Sequence, residues 1–316
     1  MNELSCPRPP AVSDPCRNAL ILTGPTGSGK SRLALELAER LGAEIVVMDS
    51  MTLYRRMDIG TAKPSLADRQ RVPHHLLDVL EPWESASVAW WLERARACCQ
   101  DIEARGKQVL FVGGTPLYLK ALLYGLFDGP PADEALRHRL TAEADEQGSQ
   151  VLHERLARID PVSAARLHIN DVRRIVRALE VWELTGRPIS AWQKQWSVPP
   201  EPAPERPRCL CLDVSRPELY DRINTRVGQM IEAGLVEEAR ALRHLERPLS
   251  REAAQAVGYQ QMFRYLDGEL TLEQAVGLIQ TRSRNLAKRQ LTWFRRLPEC
   301  RPVKEDLTFG LWGLRM

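Results

Sequence analysis

Short apolar runs alternate with helix-period patterns over the first 126 residues. Three such runs predict buried strands, at residues 19–22, 44–49 and 108–114. A shorter strand is predicted over residues 76–80, and helical spacing of apolar positions recurs over 33–41 and 87–104. Because strands and helices alternate, we predict an α/β fold with a parallel sheet flanked by helices.

The pattern changes after residue 128, where helical periodicity replaces the strands. Breaks in this periodicity fall at Gly148, Asp160, Asn170 and Gly186. A proline-rich segment follows, and the apolar run 209–214 then resembles a late strand that rejoins the sheet. Three helical stretches come after it, at residues 218–245, 251–266 and 272–297.

These changes predict a core domain that is interrupted by a helical insertion. The predicted segments are a disordered tail (1–17), the core with its C-terminal helices (18–128 and 208–300), a helical insertion domain (129–200), a proline-rich linker (201–207) and a C-terminal tail (301–316).

Composition and charge narrow the class of protein. The chain has 316 residues, of which 44% are hydrophobic and 27% charged, with a net charge of +3. This is typical of a globular protein, and it gives no strong overall preference for nucleic acid. No apolar run is long enough to span a membrane. The seven cysteines form no C-x-x-C pair, so we expect reduced thiols in a cytoplasmic protein, and we expect a monomer.

One segment fits the phosphate-binding pattern G-x-x-x-x-G-K-[ST]. It consists of Gly24, Pro25, Thr26, Gly27, Ser28, Gly29, Lys30 and Ser31. It lies between a predicted strand and a predicted helix, which argues against a chance glycine-rich turn. Backbone N–H groups and a helix N-terminus would face a phosphate, Lys30 would add positive charge, and Ser31 would offer a hydroxyl to Mg²⁺. We therefore predict a sheet similar to that of P-loop NTPases.

The residues at the strand ends near this loop do not identify which phosphate compound it binds. The run 108–112 continues into Gly113-Gly114-Thr115, where an ATPase often has a Mg²⁺-binding aspartate. Asp49 ends another predicted strand, so we expect it close to the phosphate. Its alternative role is an N-cap of the following segment. A small-molecule kinase that uses ATP remains compatible with this core.

Basic residues gather in two predicted helical regions. The stretch 272–297 carries several arginines and lysines with no acid between Glu273 and Glu299, which suits a phosphate backbone. In the insertion, Arg173 and Arg177 share a helix face at i,i+4 spacing, near Arg166 and Arg174. For both regions, an ordinary solvated or amphipathic helix is the alternative interpretation.

Further segments, in the same order, resemble the bacterial tRNA dimethylallyltransferases, also called tRNA isopentenyltransferases. The matching segments are 24–31, 49–50, 54–55, Met57-Asp58-Ile59-Gly60-Thr61-Ala62-Lys63-Pro64, 74–78, 112–115, 177–181, 257–259 and 287–293. The segment 57–64 is far more specific than the P-loop, because no general need of phosphate binding would dictate it.

The resemblance implies transfer of a dimethylallyl group from dimethylallyl diphosphate to the exocyclic amine of the adenosine 3′ to the anticodon. The partner is then the tRNA anticodon stem-loop, the cofactor is Mg²⁺, and the P-loop holds diphosphate in place of ATP. By analogy, the catalytic residues are Asp49 as the proton acceptor, Thr115 near the amine, and Arg226 with Lys30 at the diphosphate.

The resemblance also implies a tRNA-binding set. Its members are Asp49, Ser50, Met51, Thr52, Thr115, Arg137, Arg173, Arg174, Ile175, Val176, Arg177, Gln255, Ala256, Val257, Gly258, Tyr259, Gln260, Lys288, Arg289, Gln290, Trp293 and Arg295.

This chain departs from the family pattern at several positions. Gln255 and Gln260 replace two usual arginines, and Arg56 replaces a common glycine. An isopentenyltransferase that acts on free adenine nucleotides is a further alternative, although the basic helices are more than a small acceptor needs.

Overall fold

The computed structural model describes residues 14–126, 129–193 and 207–314. Most of the predicted N-terminal tail and all but the last residue of the predicted proline-rich linker lie outside these ranges. The chain divides into two compact units, Met1–Leu123 with Pro202–Met316 and Tyr124–Glu201. In the described part of the chain, no helix is long and apolar enough to cross a membrane.

The first unit is built on a six-stranded sheet in which every pairing is parallel. Its strands are β1 (Leu20–Thr23), β2 (Ala43–Val47), β3 (His74–His75), β4 (Gln108–Gly113), β5 (Cys209–Leu212) and β6 (Cys300–Val303), in the spatial order β3-β2-β4-β1-β5-β6. The predicted parallel sheet is confirmed. Since β1 lies between β4 and β5, the C-terminal ends of three strands meet around the P-loop.

The predicted strand over residues 76–80 is wrong in its position. The strand is His74–His75, and beyond it only an isolated bridge joins Tyr54 to Leu80. Leu76 and Asp78 have positive φ angles of 57° and 55°, a left-handed conformation that a strand cannot continue through.

The helices of the first unit flank this sheet. They are α1 (Lys30–Leu41), α2 (Leu66–Arg71), α3 (Val88–Ala104), α4 (Pro116–Tyr124), α10 (Arg216–Glu232), α11 (Leu235–Arg243), α12 (Arg251–Ala254), α13 (Tyr259–Leu266), α14 (Leu272–Phe294) and α15 (Thr308–Leu311). Two of the three predicted C-terminal helical stretches are each divided into two helices, with the breaks at Gly234 and at residues 255–258.

Both predicted tails contribute described residues to the fold. Strand β6 forms one edge of the sheet, and Phe309 and Trp312 are buried beside β5 and α1. The Trp312 indole donates a hydrogen bond to the carbonyl of Pro207 over 2.9 Å. At the other end Cys16 is fully buried, and Arg208 donates to its carbonyl. The tail predictions for 301–314 and 14–17 are therefore wrong, because these segments complete the core.

The second unit is helical and has its own core. Its helices are α5 (Glu134–Gln147), α6 (Ser149–Ile159), α7 (Pro161–Ala164), α8 (Val172–Thr185) and α9 (Ile189–Trp192). The predicted breaks at Gly148, Asp160, Asn170 and Gly186 all fall between helices. Leucines such as Leu140, Leu152 and Leu179 are fully buried together.

Candidate active site

The P-loop leaves the start of α1 open to an anion. Gly29 occupies the N-cap position with a φ of 88°, so no side chain caps the helix, and its first turn holds no acidic residue. The first backbone N–H groups of α1 thus have no carboxylate beside them in that turn. A helix N-terminus of this kind favours a phosphate or diphosphate.

The ends of β2 and β4 approach so closely that only glycine fits at one position. A Cβ on Gly113 would lie 2.0 Å from the carbonyl oxygen of Met48. The Thr115 amide donates to the same oxygen over 3.2 Å, and the Thr115 hydroxyl accepts the amide of Ser50 over 3.0 Å. These contacts hold Thr115 beside the loop that carries Asp49.

Asp49 is fixed by its own turn. Its Oδ1 accepts the amide of Met51 over 2.9 Å, and its carbonyl accepts the hydroxyl of Thr52. The next helix, α2, begins only at Leu66 and is capped by Ser65. The alternative role of Asp49 as a helix N-cap is therefore wrong, and a carboxylate oxygen stays available to a ligand.

Lys30, Arg226 and Asp49 form one electrostatic cluster. Burial of the Lys30 ammonium group, with the positive charge of Arg226, lowers the pKa of Lys30 to about 8, although Asp49 acts in the opposite direction. The pKa of Arg226 is also lowered by burial and raised in part by Asp49. Two half-buried cations interact with a single carboxylate, so the site has an excess of positive charge for an anion.

Gln290 of α14 connects the P-loop to β4. Its Oε1 accepts the amide of Thr26 over 2.9 Å, and its Nε2 donates to the carbonyl of Gly114 over 2.7 Å. The residue is buried at 6% exposure. Because both ends of its amide bond within the protein, Gln290 ties the P-loop to the end of β4. Its predicted tRNA contact stays a prediction.

Sequence reasoning missed two further side chains at the site. Arg222 donates to the carbonyl of Ser28 over 3.1 Å, one helical turn before Arg226. Tyr118 stacks on Trp91 at 4.3 Å, and burial with the nearby charge of Asp49 raises the pKa of its phenol. The i,i+4 spacing of Arg222 and Arg226 was a sequence signal that could have predicted Arg222 as a site residue.

Few protein atoms are available to a metal ion. Among the described residues, no group of three His, Cys, Asp or Glu side chains could hold one. The Ser31 hydroxyl lies in the first turn of α1, the Asp49 carboxylate interacts with the Lys30 charge, and the Ser28 hydroxyl is buried without a hydrogen-bond partner. Mg²⁺ often binds through one or two protein oxygens plus substrate phosphates, so this donor set fits it.

A cavity of about 770 Å³ leads outward from Arg226. One wall is formed by Arg226, Gln229 and Met230 of α10 with Ala233 just after it. The other is formed by residues 55, 56, 58, 59 and 62–66 with Arg69 and Asp78. Its lining combines apolar side chains with guanidinium groups. Such a cavity suits a ligand with an apolar part and a negative charge.

Comparison with known proteins agrees with this geometry. The family model described as IPP transferase matches residues 52–297, and the one described as isopentenyl transferase matches 17–78. The chain belongs to the IPP transferase family. A tRNA dimethylallyltransferase of Geobacter metallireducens is 50% identical over 279 residues, which cover 88% of this chain and 89% of the relative. One of Koribacter versatilis is 47% identical and covers 93% of this chain and 94% of its own length.

Solved structures of IPP transferases share the fold. The tRNA isopentenylpyrophosphate transferase of Bacillus halodurans has a TM-score of 0.65 at 40% identity and covers 93% of this chain and 92% of its own. A eukaryotic dimethylallyltransferase acting on tRNA has a TM-score of 0.74 at 25% identity and covers 91% of this chain and 73% of its own. The predicted fold and the predicted family are both confirmed.

The segment 57–64, the most specific of the IPP transferase motifs, forms a loop held from inside. The Lys63 ammonium is buried and bonds to the carbonyl of Tyr54 and to the carboxylates of Asp58 and Asp78. The charge of this lysine thus organises the cavity wall.

The same loop is held from outside by α11 and α13. The Glu238 carboxylate accepts the amides of Asp58, Ile59 and Gly60 over 2.9 to 3.1 Å. The Tyr259 hydroxyl donates to Glu238 and accepts the amide of Gly60. Tyr259 is fully buried, and burial with the charge of Glu238 raises the pKa of its phenol. The Tyr259 side chain supports the loop from inside the protein, and its predicted tRNA contact stays a prediction.

The other predicted tRNA residues of the first unit differ in exposure. Gln255 and Gln260 are exposed on either side of the buried Ala256, whose side chain cannot contact RNA. On α14 and just after it, Lys288, Arg289 and Arg295 are exposed, and Trp293 is half-buried. The exposed members remain predictions.

In the second unit, a fully buried glutamate orients two of the predicted arginines. Glu180 accepts from Arg137 through Nε and Nη2 and from Arg177 through Nη1 over 2.6 to 3.2 Å. Ile175 and Val176 lie in the unit's core, and their place in the tRNA-binding set stays a prediction. Arg173 and Arg174 are exposed.

Proposed function

We propose that this protein transfers the dimethylallyl group of dimethylallyl diphosphate to the exocyclic amine of the adenosine 3′-adjacent to the anticodon of tRNA. The proposal rests on one observation above the others, the cluster in which Lys30 and Arg226 face Asp49 beside an open P-loop. The names of the close relatives, tRNA dimethylallyltransferases at 47–50% identity, support the same reaction.

In the reaction, one bond breaks and one forms. The allylic C–O bond to the diphosphate breaks, its electron pair leaves with the diphosphate oxygen, and the adenine amine forms the new C–N bond. The new bond leaves the nitrogen positively charged, so it must lose a proton. Its lone pair is delocalised, so the amine is a weak nucleophile and removal of the proton helps the attack. We assign Asp49 as the carboxylate that accepts that proton.

Departure of the diphosphate builds negative charge at the P-loop. The N–H groups at the start of α1 and the cations Lys30 and Arg226 offset this charge in a buried setting, where such interactions are stronger than in water. Arg222 and Gln290 fix the loop from outside. The donor groups therefore need no reorganisation as the charge develops.

Mg²⁺ is the expected cofactor, with the Ser31 hydroxyl as the protein group that would hold it. When bound, the ion would neutralise part of the charge of the diphosphate. The Thr115 hydroxyl accepts the amide of Ser50, next to Asp49, and this contact supports a role for Thr115 in orienting the amine. A stacked anticodon base must leave its stack to reach these groups. Because the proposed substrate is tRNA, we expect the protein to act in the cytoplasm. We also expect it to be a monomer.

The test is transfer of labelled dimethylallyl groups to unmodified tRNA in the presence of Mg²⁺, beside free AMP and an ATP-turnover control. We expect label in tRNA alone. Label in AMP would favour the free-nucleotide transferase, and ATP turnover without transfer would favour a kinase; either result contradicts the proposal.

A further inference from the structure

Strained backbone concentrates around the cavity that contains Arg226. In the part of the chain that the structure describes, four residues other than glycine have a positive φ: Arg56, Ala62, Leu76 and Asp78. Three of these, Arg56, Ala62 and Asp78, line the cavity. A left-handed backbone costs a non-glycine residue free energy, and such residues cluster at functional sites.

Arg56 is the largest of these residues and the one whose side chain reaches outward. Its φ is 63°, which glycine adopts without cost, and its side chain is 57% exposed. Asp78 gains two ion pairs, with Lys63 and Arg69, in return for its strain. The ion pair of Arg56 with Glu81 is long, at 3.9 Å, and Glu81 already pairs with Arg55 at 2.9 Å.

Arg56 also contacts an aromatic ring that a second arginine shares. Its guanidinium lies 6.0 Å from the ring centre of Trp83, and the guanidinium of Arg247 lies 5.5 Å from the same ring. Trp83 is half-buried, and Arg56 and Arg247 are exposed. Cation–π contact restrains both guanidinium groups without using their N–H donors.

We propose that Arg56 and Arg247, held against Trp83, form a patch that binds backbone phosphates of the RNA whose nucleotide enters the Arg226 cavity. We call these three residues the Trp83 patch. The proposal rests on the proposed function and adds a part of the substrate that the active-site cluster does not contact.

The chemistry of the patch selects a phosphate over other partners. A guanidinium group presents planar paired donors that match phosphate oxygens, and it sheds water more readily than an ammonium group. With Arg55, the patch carries three positive charges, against the carboxylates of Glu81 and of Glu84, which accepts the Glu81 amide. It lies on the exposed rim, whereas the diphosphate of the donor belongs with Lys30 and the P-loop inside. A polymer with repeated phosphates reaches both places.

The principal test is the variant Arg56→Gly, studied by tRNA binding at several salt concentrations. Glycine relieves the strain, so the melting temperature should not fall. We expect tRNA affinity to weaken about fivefold at low salt. The slope of log affinity against log salt should decrease by about 0.7, the value for one phosphate of a single strand. Arg247→Ala should give the same two changes.

Trp83→Ala separates positioning from charge. Both guanidinium groups remain in this variant but lose the ring that restrains them. We expect weaker tRNA binding with a nearly unchanged salt slope, and partial rescue by Trp83→Phe. If Trp83→Ala binds tRNA as the unmodified protein does, the positioning role is wrong.

The chain offers a matched control pair on α3. The guanidinium of Arg94 lies 5.3 Å from the ring centre of Trp90, but neither residue lines the cavity. Arg94→Ala removes one exposed guanidinium from an aromatic ring and should leave tRNA affinity and its salt slope unchanged. An equal loss in Arg94→Ala would mean that any surface arginine has this effect, and it would overturn the patch.

The same experiments keep the two proposals apart. If the unmodified protein transfers no label to tRNA, the proposed function is wrong, whatever the patch does. If it transfers label and the Arg56→Gly and Arg247→Ala variants keep the full salt slope, only the patch is wrong. A changed KM for the donor with unchanged tRNA binding would place Arg56 at the donor and also overturn the patch.

Discussion

At the scale of single residues, the site depends on groups whose pKa is shifted by burial. Lys30 is the clearest example, since its ammonium loses hydration in the interior and lies near the positive charge of Arg226. Its pKa of about 8 keeps it mostly protonated at neutral pH but close to titration. This makes anion binding sensitive to mild alkali.

We predict that affinity for inorganic diphosphate falls as pH rises through about 8, by up to roughly tenfold per pH unit. Deprotonation of Lys30 in the free protein removes the charge that the anion needs, so the loss lies above the lowered pKa. Calorimetric titrations at several pH values measure it. Lys30→Met controls for the ionisation of diphosphate itself, and an identical pH profile in that variant would exclude Lys30 as the cause.

Asp49 supports a second prediction at this scale. Asp49→Asn keeps the shape and still accepts the amide of Met51, but it cannot take the proton of the amine. We expect turnover to decrease by about 10² to 10⁴ with tRNA affinity nearly retained. Single-turnover transfer and a separate binding titration measure the two effects. Undiminished turnover would remove Asp49 from the mechanism.

At the scale of elements, the contacts that matter join helices to loops far away in sequence. Glu238 of α11 and Tyr259 of α13 accept hydrogen bonds from the backbone amides of residues 58–60, which would otherwise lack partners. Gln290 of α14 does the same for the P-loop. The C-terminal helices thus act as a frame for the cavity and the phosphate site.

We predict that Tyr259→Phe destabilises the protein by about 1–3 kcal/mol, because the amide of Gly60 loses an acceptor and Glu238 loses a donor. Urea unfolding measures the change. Tyr265→Phe is the control, since Tyr265 lies on the same helix and is half-buried. Equal unfolding midpoints for Tyr259→Phe and the unmodified protein would show that the hydroxyl contributes nothing to stability.

At the scale of the whole molecule, the core of the first unit draws on both ends of the described chain. Strand β6 closes one edge of the sheet, and Trp312 is buried at 1% exposure beside it. Near the N-terminal end of the described chain, Cys16 is buried against α3, where the Cys99 thiol contacts it at 2.9 Å. The predicted tails extended too far into the chain, because short segments at chain ends carry little periodicity.

We predict that Trp312→Ala lowers the free energy of unfolding by about 3–5 kcal/mol, the usual cost of deleting a buried tryptophan. Leu307→Ala is the control from the same segment, since Leu307 is 55% exposed. Chemical denaturation compares the two. If the Trp312→Ala variant is as stable as the Leu307→Ala variant, this segment does not contribute to the stability of the core.

The sequence by itself determined the features that depend on neighbouring residues. The spacing of Gly24 to Ser31 between a strand and a helix specified the P-loop, and the alternation of strands and helices specified a parallel sheet. Asp49 followed from its place at a strand end. Helix breaks in the insertion were visible at Gly148 and Gly186 for the same local reason.

Only the tertiary structure decided which distant side chains complete the site. The contacts of Gln290 with Thr26, Arg222 with Ser28 and Glu238 with Gly60 each join residues 178 to 264 positions apart. Tyr259 and Gln290 were predicted to contact RNA, but packing turned their polar groups inward. Periodicity predicts which face of a helix is buried, whereas the partner of a buried polar group depends on how the elements pack together.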